Sequence, residues 1–419
     1  MWKTISVLLA LVGFASAGVA VKYDDHQVLR ITPTTTDEVS MLRDELPVAF
    51  RVDWWREPSY PGIPVDVRVG PSDLSSVTKM LEGAGISHEV FVEDVQKLID
   101  FSSYTPGVVR GDDFDYGVYH TLPEIEEWMK TLEAEYPDLV ELVEVGKSFE
   151  GRTITAVKFT GKVGNSTEKP GLWLDGGIHA REWISPAVNV YMLGKLLSDY
   201  GVDAETTDLI DSLEWYILPV FNVDGYDYTW NGDRMWRKTR STYSSKLCVG
   251  VDPNRNWDWH WGEAGTSNNP CADDFQGPEA FSEVEVKTVS DFIKSKKNIN
   301  GYVNFHSYSQ LWMAPWGYTS DLPDDFDVQN GVGKAATEAI AKVHGTKFDH
   351  GNIADIIYPA SGSSADWTYG ECGILYSYGV ELRDTGKYGF VLPEDQILES
   401  GEETLAGVKV LANAVKGSN

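Results

Sequence analysis

Leu172-Trp173-Leu174-Asp175-Gly176-Gly177-Ile178-His179-Ala180-Arg181-Glu182-Trp183 is a near-continuous apolar run that stops at a glycine pair and then delivers His, Arg and Glu side chains. It lacks the polar alternation of a strand with one wet face and reads as a strand covered on both sides. Leu213 to Phe221, Tyr302 to Phe305 and Ile374 to Leu382 have the same character. Helical patterns lie between them. Thr121-x-x-Glu124 is a capping box that opens a helix with Ile125, Trp128, Met129 and Leu132 on one face, and Ser282-x-x-Glu285 opens another. Strands alternating with helices define an α/β domain over residues 111–419. Gly and Asn punctuate its strand ends, where open α/β sheets place their sites.

Residues 18–110 read as a separate small α+β unit. Gln27 to Ile31, Ala49 to Trp55, Pro64 to Val69 and His88 to Val92 are strand-like, with helical stretches over Thr36 to Leu46 and Ser72 to Leu81. The order β-α-β-β-α-β is an open-faced sandwich. A polar linker follows and ends at Arg110-Gly111, where a trypsin-like cut and an ordinary exposed arginine are equally compatible with the pattern. Ahead of it all, Met1 to Lys3, the apolar run Ile5 to Phe14 and Ala15-Ser16-Ala17 form a secretory signal over residues 1–17. The expected mature chain is secreted and soluble.

Composition excludes more than it selects. The chain has 419 residues, 35 basic against 64 acidic side chains, and a formal net charge of -29. Residues 18–110 hold 9 basic and 15 acidic groups, leaving the larger domain net -24. Such a field repels phosphates and anionic lipids, so neither nucleic acid nor membrane is an expected partner. Three cysteines make one bridge and one free thiol the simplest count. Cys248–Cys271 closes a polar, Gly- and Asn-rich loop, and Cys372 reads as a buried thiol. Asn165-Ser166-Thr167 is a glycosylation sequon.

His179 and Glu182 stand three apart at a strand end, where both side chains can reach one ion. An imidazole nitrogen and a carboxylate oxygen suit zinc, which needs a third ligand and keeps a position open. His-x-x-Glu alone is weak, but His306 lies just past another buried strand, at the matching end. Trp236-Arg237-Lys238-Thr239-Arg240 and Asp252-Pro253-Asn254-Arg255-Asn256-Trp257 are basic islands in an acidic domain. They fit surface ion pairs or, through the guanidinium fork, capture of a carboxylate. Glu381 is an acid inside a buried-strand run, which is expensive unless it is paired, protonated or catalytic. Tyr358 projects from a loop, Ile356 to Gly362, or packs as an ordinary aromatic.

Together, His179-Ala180-Arg181-Glu182-Trp183, Asn254-Arg255-Asn256-Trp257, His306-Ser307-Tyr308 and Glu381-Leu382-Arg383-Asp384-Thr385-Gly386 resemble, in order, the motifs of secreted zinc carboxypeptidases of the pancreatic A/B type. Residues 18–110 resemble that family's activation segment. The resemblance implies a mixed eight-stranded sheet flanked by helices, preceded by the small prosegment. It implies one Zn2+ on His179, Glu182 and His306, Glu381 as general base, and Arg237 as stabiliser of the oxyanion. Asn254, Arg255 and Tyr358 would hold the C-terminal residue, and Arg181 and Tyr308 the residues before it. Ala365, at the position where B-type members carry Asp, implies with Ile353, Ile357 and Ala360 an apolar pocket and A-type preference.

The implied partners are peptide and protein C-termini, an activating trypsin-like protease cutting between Arg110 and Gly111, and proteinaceous carboxypeptidase inhibitors, with the chain itself a monomer. The rival readings are a zinc amidohydrolase acting on acyl amino acids and a non-catalytic peptide-binding homologue. No Gly-x-Ser-x-Gly elbow supports a serine hydrolase.

Overall fold

The computed structural model describes residues 20–102, 114–161, 169–243 and 247–418. The signal segment 1–17, the Arg110-Gly111 bond and Asn165 lie outside the described residues. In the smaller unit, β1 (Gln27–Ile31), β2 (Val52–Arg56), β3 (Val65–Val69) and β4 (His88–Val92) form an antiparallel sheet in the order β2-β3-β1-β4. Period-2 alternation divides each strand between two faces. Leu29, Ile31, Val65, Val67 and Val69 pack under the helices with Leu42, Val77 and Leu81. Val28 and Trp55 point the other way and pack with Met235, Tyr308 and Phe390 of the larger unit.

The elements differ from the sequence reading in several places. Ala49 closes a helical stretch rather than opening β2, because Pro47 is tolerated in the first turn of the short helix Leu46–Ala49. The helix read from Ser282 begins at Val284, and the Glu283 carboxylate is drawn aside to accept from Ser241 and Tyr243 hydroxyls. A further helix, Val95–Phe101, was not read from the sequence; Asp94 caps it through Lys97 N–H.

The larger unit is an eight-stranded mixed sheet. Its strands are β5 (Val140–Lys147), β6 (Thr153–Phe159), β7 (Gly171–Gly176), β8 (Glu214–Leu218), β9 (Ile299–Ser307), β10 (Leu311–Ala314), β11 (Asp349–Asn352) and β12 (Tyr376–Leu382). The order is β11-β10-β12-β9-β7-β8-β6-β5. β8, β7, β9 and β12 are mutually parallel, and they are the four apolar runs. Both faces are covered, so Trp173, Trp215, Tyr302 and Tyr378 are fully buried in one core. From β7 the chain goes first to β8 on one side and then to β9 on the other. That reversal opens a crevice at the carboxyl ends of β7 and β9. Among the described residues no helix is long and apolar enough to cross a membrane.

Candidate active site

The crevice is where the chain delivers its polar side chains. Gly176 and Gly177 make the turn out of β7 possible. A Cβ on Gly176 would meet the Ser185 backbone at 2.9 Å, and Gly177 has φ +65°. The turn presents His179 and Glu182 just before the helix Ile184–Asp199, and β9 presents His306. Nδ1 of His179 lies 2.8 Å from Glu182 Oε1, Nδ1 of His306 lies 3.1 Å from Glu182 Oε2, and the two Nδ1 atoms are 3.2 Å apart. All three residues are buried.

Tetrahedral ligands of zinc, at bond lengths near 2 Å, stand roughly 3.3 Å from one another. Two imidazole nitrogens and one carboxylate at 2.8 to 3.2 Å therefore fit that ion without rearrangement of the backbone. Burial alone would raise the Glu182 carboxyl, but the His179 and His306 rings beside it hold it well below the usual carboxylate range. The far nitrogen of His179, Nε2, is 3.1 Å from Asp252 Oδ1. That outer carboxylate fixes the ring orientation, as is usual for zinc-binding histidines.

Asp252 also organises the arginines. Its Oδ2 accepts from Arg237 Nη2 at 2.7 Å and Nε at 3.1 Å, and its Oδ1 from the Asn254 backbone N–H at 2.8 Å. Despite burial, Arg237, His179 and Arg255 hold the Asp252 carboxyl well below its usual range. Arg237 Nη1 is left facing His179 and Glu182. Arg255 is 1% exposed; its Nε donates to Gly265 O, and its Nη2 has no hydrogen-bond partner. Tyr358 lies against Arg255, 5.6 Å from guanidinium to ring, so it is folded inward rather than projecting. Its phenol is pushed up to about 12 by burial and by nearby Glu57.

Glu381 completes the set from β12, in register with His306 of β9. It is 7% exposed and its Oε2 has no hydrogen-bond partner. Burial and then the Glu182 carboxylate raise its carboxyl well above the ordinary range. Ala365 sits beside the site in an apolar cluster of Leu311, Met313, Ile353 and Ile357, against which Tyr358 packs.

The bland readings hold for the rest of the basic islands. Lys238 Nζ donates to Pro270 and Ala272 carbonyls, and Arg240 stacks on Tyr228 and Trp236. The Cys248–Cys271 bridge is formed next to this segment. Cys372 is half-buried rather than buried, and burial pushes its thiol up to about 11, which leaves it unreactive near neutral pH.

Two groups of residues escaped the sequence reading. Asp252 was visible only as part of a basic island. The second group comes from the smaller unit. Asp53 Oδ1 accepts from Arg181 at 2.8 Å, Asp66 Oδ2 accepts from the Tyr308 hydroxyl at 2.7 Å, and Glu57 lies 3.9 Å from Arg255 Nη2. Arg181 also donates to Trp54 O and stacks on Phe390. Asp53, Asp66 and Arg68 alternate with apolar residues, a pattern equally expected of a sheet face left in water, so the sequence held no signal that this face is covered.

Residues 125–407 match the family model described as zinc carboxypeptidase, and residues 29–101 match that of the carboxypeptidase activation peptide. The chain is 44% identical to carboxypeptidase A2 of Mus musculus over 395 residues, 93% of this chain and 94% of the relative. It is 49% identical to carboxypeptidase B of Astacus astacus over 304 residues, 72% of this chain and 98% of the relative. The crystal structure of thrombin activatable fibrinolysis inhibitor superimposes with a TM-score of 0.86 at 36% identity, covering 95% of this chain and all of that one. The protein belongs to the zinc carboxypeptidase family and carries that family's activation peptide ahead of its enzymatic domain.

Proposed function

We propose that the chain is the secreted zymogen of an A-type metallocarboxypeptidase, which releases aliphatic or aromatic residues from peptide C-termini. The observation that carries this reading is the buried, unpartnered Nη2 of Arg255 beside Asn254, a donor whose nearest carboxylate is Glu57 of the smaller unit. A free C-terminal carboxylate would satisfy it, whereas an internal peptide bond offers no charge there. Zinc on His179, Glu182 and His306 would polarise the scissile carbonyl and lower the pKa of a water. Glu381 takes the water proton on its free Oε2 and passes it to the leaving amine. Arg237 Nη1, held in place by the bonds of its Nε and Nη2 to Asp252, is aimed at the negative charge that develops on the carbonyl oxygen. Arg181 and Tyr308 receive the residues preceding the scissile bond.

The apolar cluster around Ala365 supports the A-type preference. The Astacus astacus relative is named carboxypeptidase B, and a B-type preference for Lys and Arg would need a free carboxylate in the pocket. Asp366, next to Ala365, does not supply one. It is fully buried, and its oxygens accept from the Gly317 and Tyr318 backbone N–H groups. Burial pushes its carboxyl up to about 7.

Asp53, Asp66 and Glu57 on the polar groups of the cleft support inhibition by the smaller unit. Cleavage between Arg110 and Gly111 by a trypsin-like protease would free the cleft. Proteinaceous carboxypeptidase inhibitors would compete for the same surface, and the chain would act as a monomer outside the cell. The test is release of Phe, Leu, Lys and Glu from otherwise identical peptides before and after limited trypsin treatment, with and without a zinc chelator. Phe and Leu should be released fastest, only after trypsin, and only with metal. A Lys preference removes the specificity, chelator-insensitive release removes the mechanism, and full activity of the intact chain removes the zymogen.

A further inference from the structure

We propose that Arg383, through its fork of hydrogen bonds to Glu403, is a positioning residue that sets where the Glu381 carboxylate stands in the site. The inference rests on the reading of Glu381 as the base. Glu381 Oε2 is buried and has no hydrogen-bond partner, so no donor within the site aims it. Its placement is left to the backbone of β12, of which it is the penultimate residue. One ångström of error at such a group costs about a hundredfold in rate, so the end of this strand has to be held.

It is held by the next two side chains. Arg383 Nε and Nη2 donate to the two oxygens of Glu403, each at 2.7 Å, and Nη1 donates to Glu399 Oε2 at 2.7 Å. Thr346 closes the group, accepting from Arg383 Nη2 at 2.8 Å and donating to Glu403 Oε2 at 2.7 Å. Glu403 is fully buried on the last helix, Ile397–Lys416, so the strand end is tied to a helix that packs against this sheet. Asp384 then folds the following loop by accepting from the Gly386, Tyr388 and Gly389 N–H groups. Between Glu381 and Arg383, the Leu382 carbonyl accepts from Ser309 and Gln310 N–H, in the turn that follows His306 and carries Tyr308. Moving Arg383 would therefore move the base relative to the metal ligand across the sheet.

A buried ion pair is weak evidence for stability, since well-packed apolar residues often do as well, and fixing a register is its best-attested use. The bidentate fork adds direction that a lysine ammonium does not supply.

Steady-state kinetics on the trypsin-treated, zinc-loaded protein test the proposal, using Arg383→Lys, Glu403→Gln, their combination, and Thr346→Val as a milder variant that keeps every charge. The expected result is a fall in kcat of about 10- to 100-fold for the first two, with KM within about twofold, one bound zinc retained, and the double variant no worse than the worse single one. Thr346→Val should lower kcat alone, by a smaller factor, even where the charge variants fold poorly. An unchanged kcat per folded molecule alongside a lowered melting temperature overturns the proposal and leaves a purely structural pair. Should Glu381→Gln itself stay active, the assignment of the base fails, and this inference falls with it for that separately visible reason.

Discussion

Asp252 holds Arg237 in a two-pronged grip, with Oδ2 at 2.7 Å from Nη2 and 3.1 Å from Nε, while its other oxygen stands 3.1 Å from Nε2 of His179. One buried carboxylate thus orients a metal ligand and the cation expected to meet the oxyanion. Asp252→Asn should weaken zinc binding by about 10- to 100-fold, the usual cost of losing such an outer partner. It should also lower kcat further at saturating zinc, because Arg237 loses its charged anchor. Competition with a chromophoric chelator reads the first effect, and kinetics in excess zinc the second. Unaltered metal affinity would remove the orienting role.

Glu381 is expensive to keep. Burial and the Glu182 carboxylate raise its carboxyl well above the ordinary range. A raised folded-state value means that its contribution to stability is fully present below the unfolded value and is lost as pH rises through the raised one. Glu381→Gln should therefore lower kcat by about 10² to 10⁴ while raising the melting temperature of the metal-free protein at neutral pH. A variant that is both inactive and less stable would contradict the assignment of a strained base.

Ala365 belongs to an apolar cluster with Leu311, Met313, Ile353 and Ile357, so under the proposed A-type reading Ala365→Asp should reverse the release preference. Release of C-terminal Phe should fall by about 10²-fold or more, because an unpaired carboxylate is buried against the ring. Release of Lys should rise from near nothing. The ratio of kcat/KM for Phe- and Lys-terminated peptides measures the switch, and a variant that still prefers Phe would place the selecting residue elsewhere.

Asp53 meets more than Arg181. Burial and the neighbouring Asp53 carboxylate raise the carboxyl of Asp273 in the larger unit. Its share of the hold between the two units is thus fully present below the ordinary Asp value, about 4, and is lost as pH rises through the raised value. Arg68, Arg181 and Lys238 face the same pair of acids. The intact precursor should leak more activity at about pH 8 than at about pH 5, relative to its trypsin-treated form. Asp273→Asn should flatten that ratio, and a ratio equally steep in the variant would refute the link. Asp53→Ala, which leaves Arg181 without its carboxylate, should raise the leak at every pH.

The sequence by itself determined the α/β class, the four central strands and the small unit that precedes them, while β5, β6, β10, β11 and the helix Val95–Phe101 carried no pattern strong enough to read. Continuous apolar runs gave the four central strands because a strand covered by helices on both sides meets no water, and capping chemistry gave the start of the helix Leu122–Glu135. His179, Glu182, His306, Arg237, Arg255 and Glu381 were all nameable, because the motifs that carry them stand in the order found in the zinc carboxypeptidase family; the residue pattern alone left surface ion pairs open for the arginines. Only the tertiary structure decided which of those groups are satisfied. That Asp252 serves both His179 and Arg237, that Arg255 Nη2 and Glu381 Oε2 are left without partners, and that Asp53, Glu57 and Asp66 reach across from the smaller unit are facts about residues between 15 and 242 positions apart. Local periodicity reports which way a side chain faces; it carries no information about what waits there. The hydrogen-bond partner of a buried charge is set by chain topology, and here the reversal between β7, β8 and β9 brings these distant segments to one crevice.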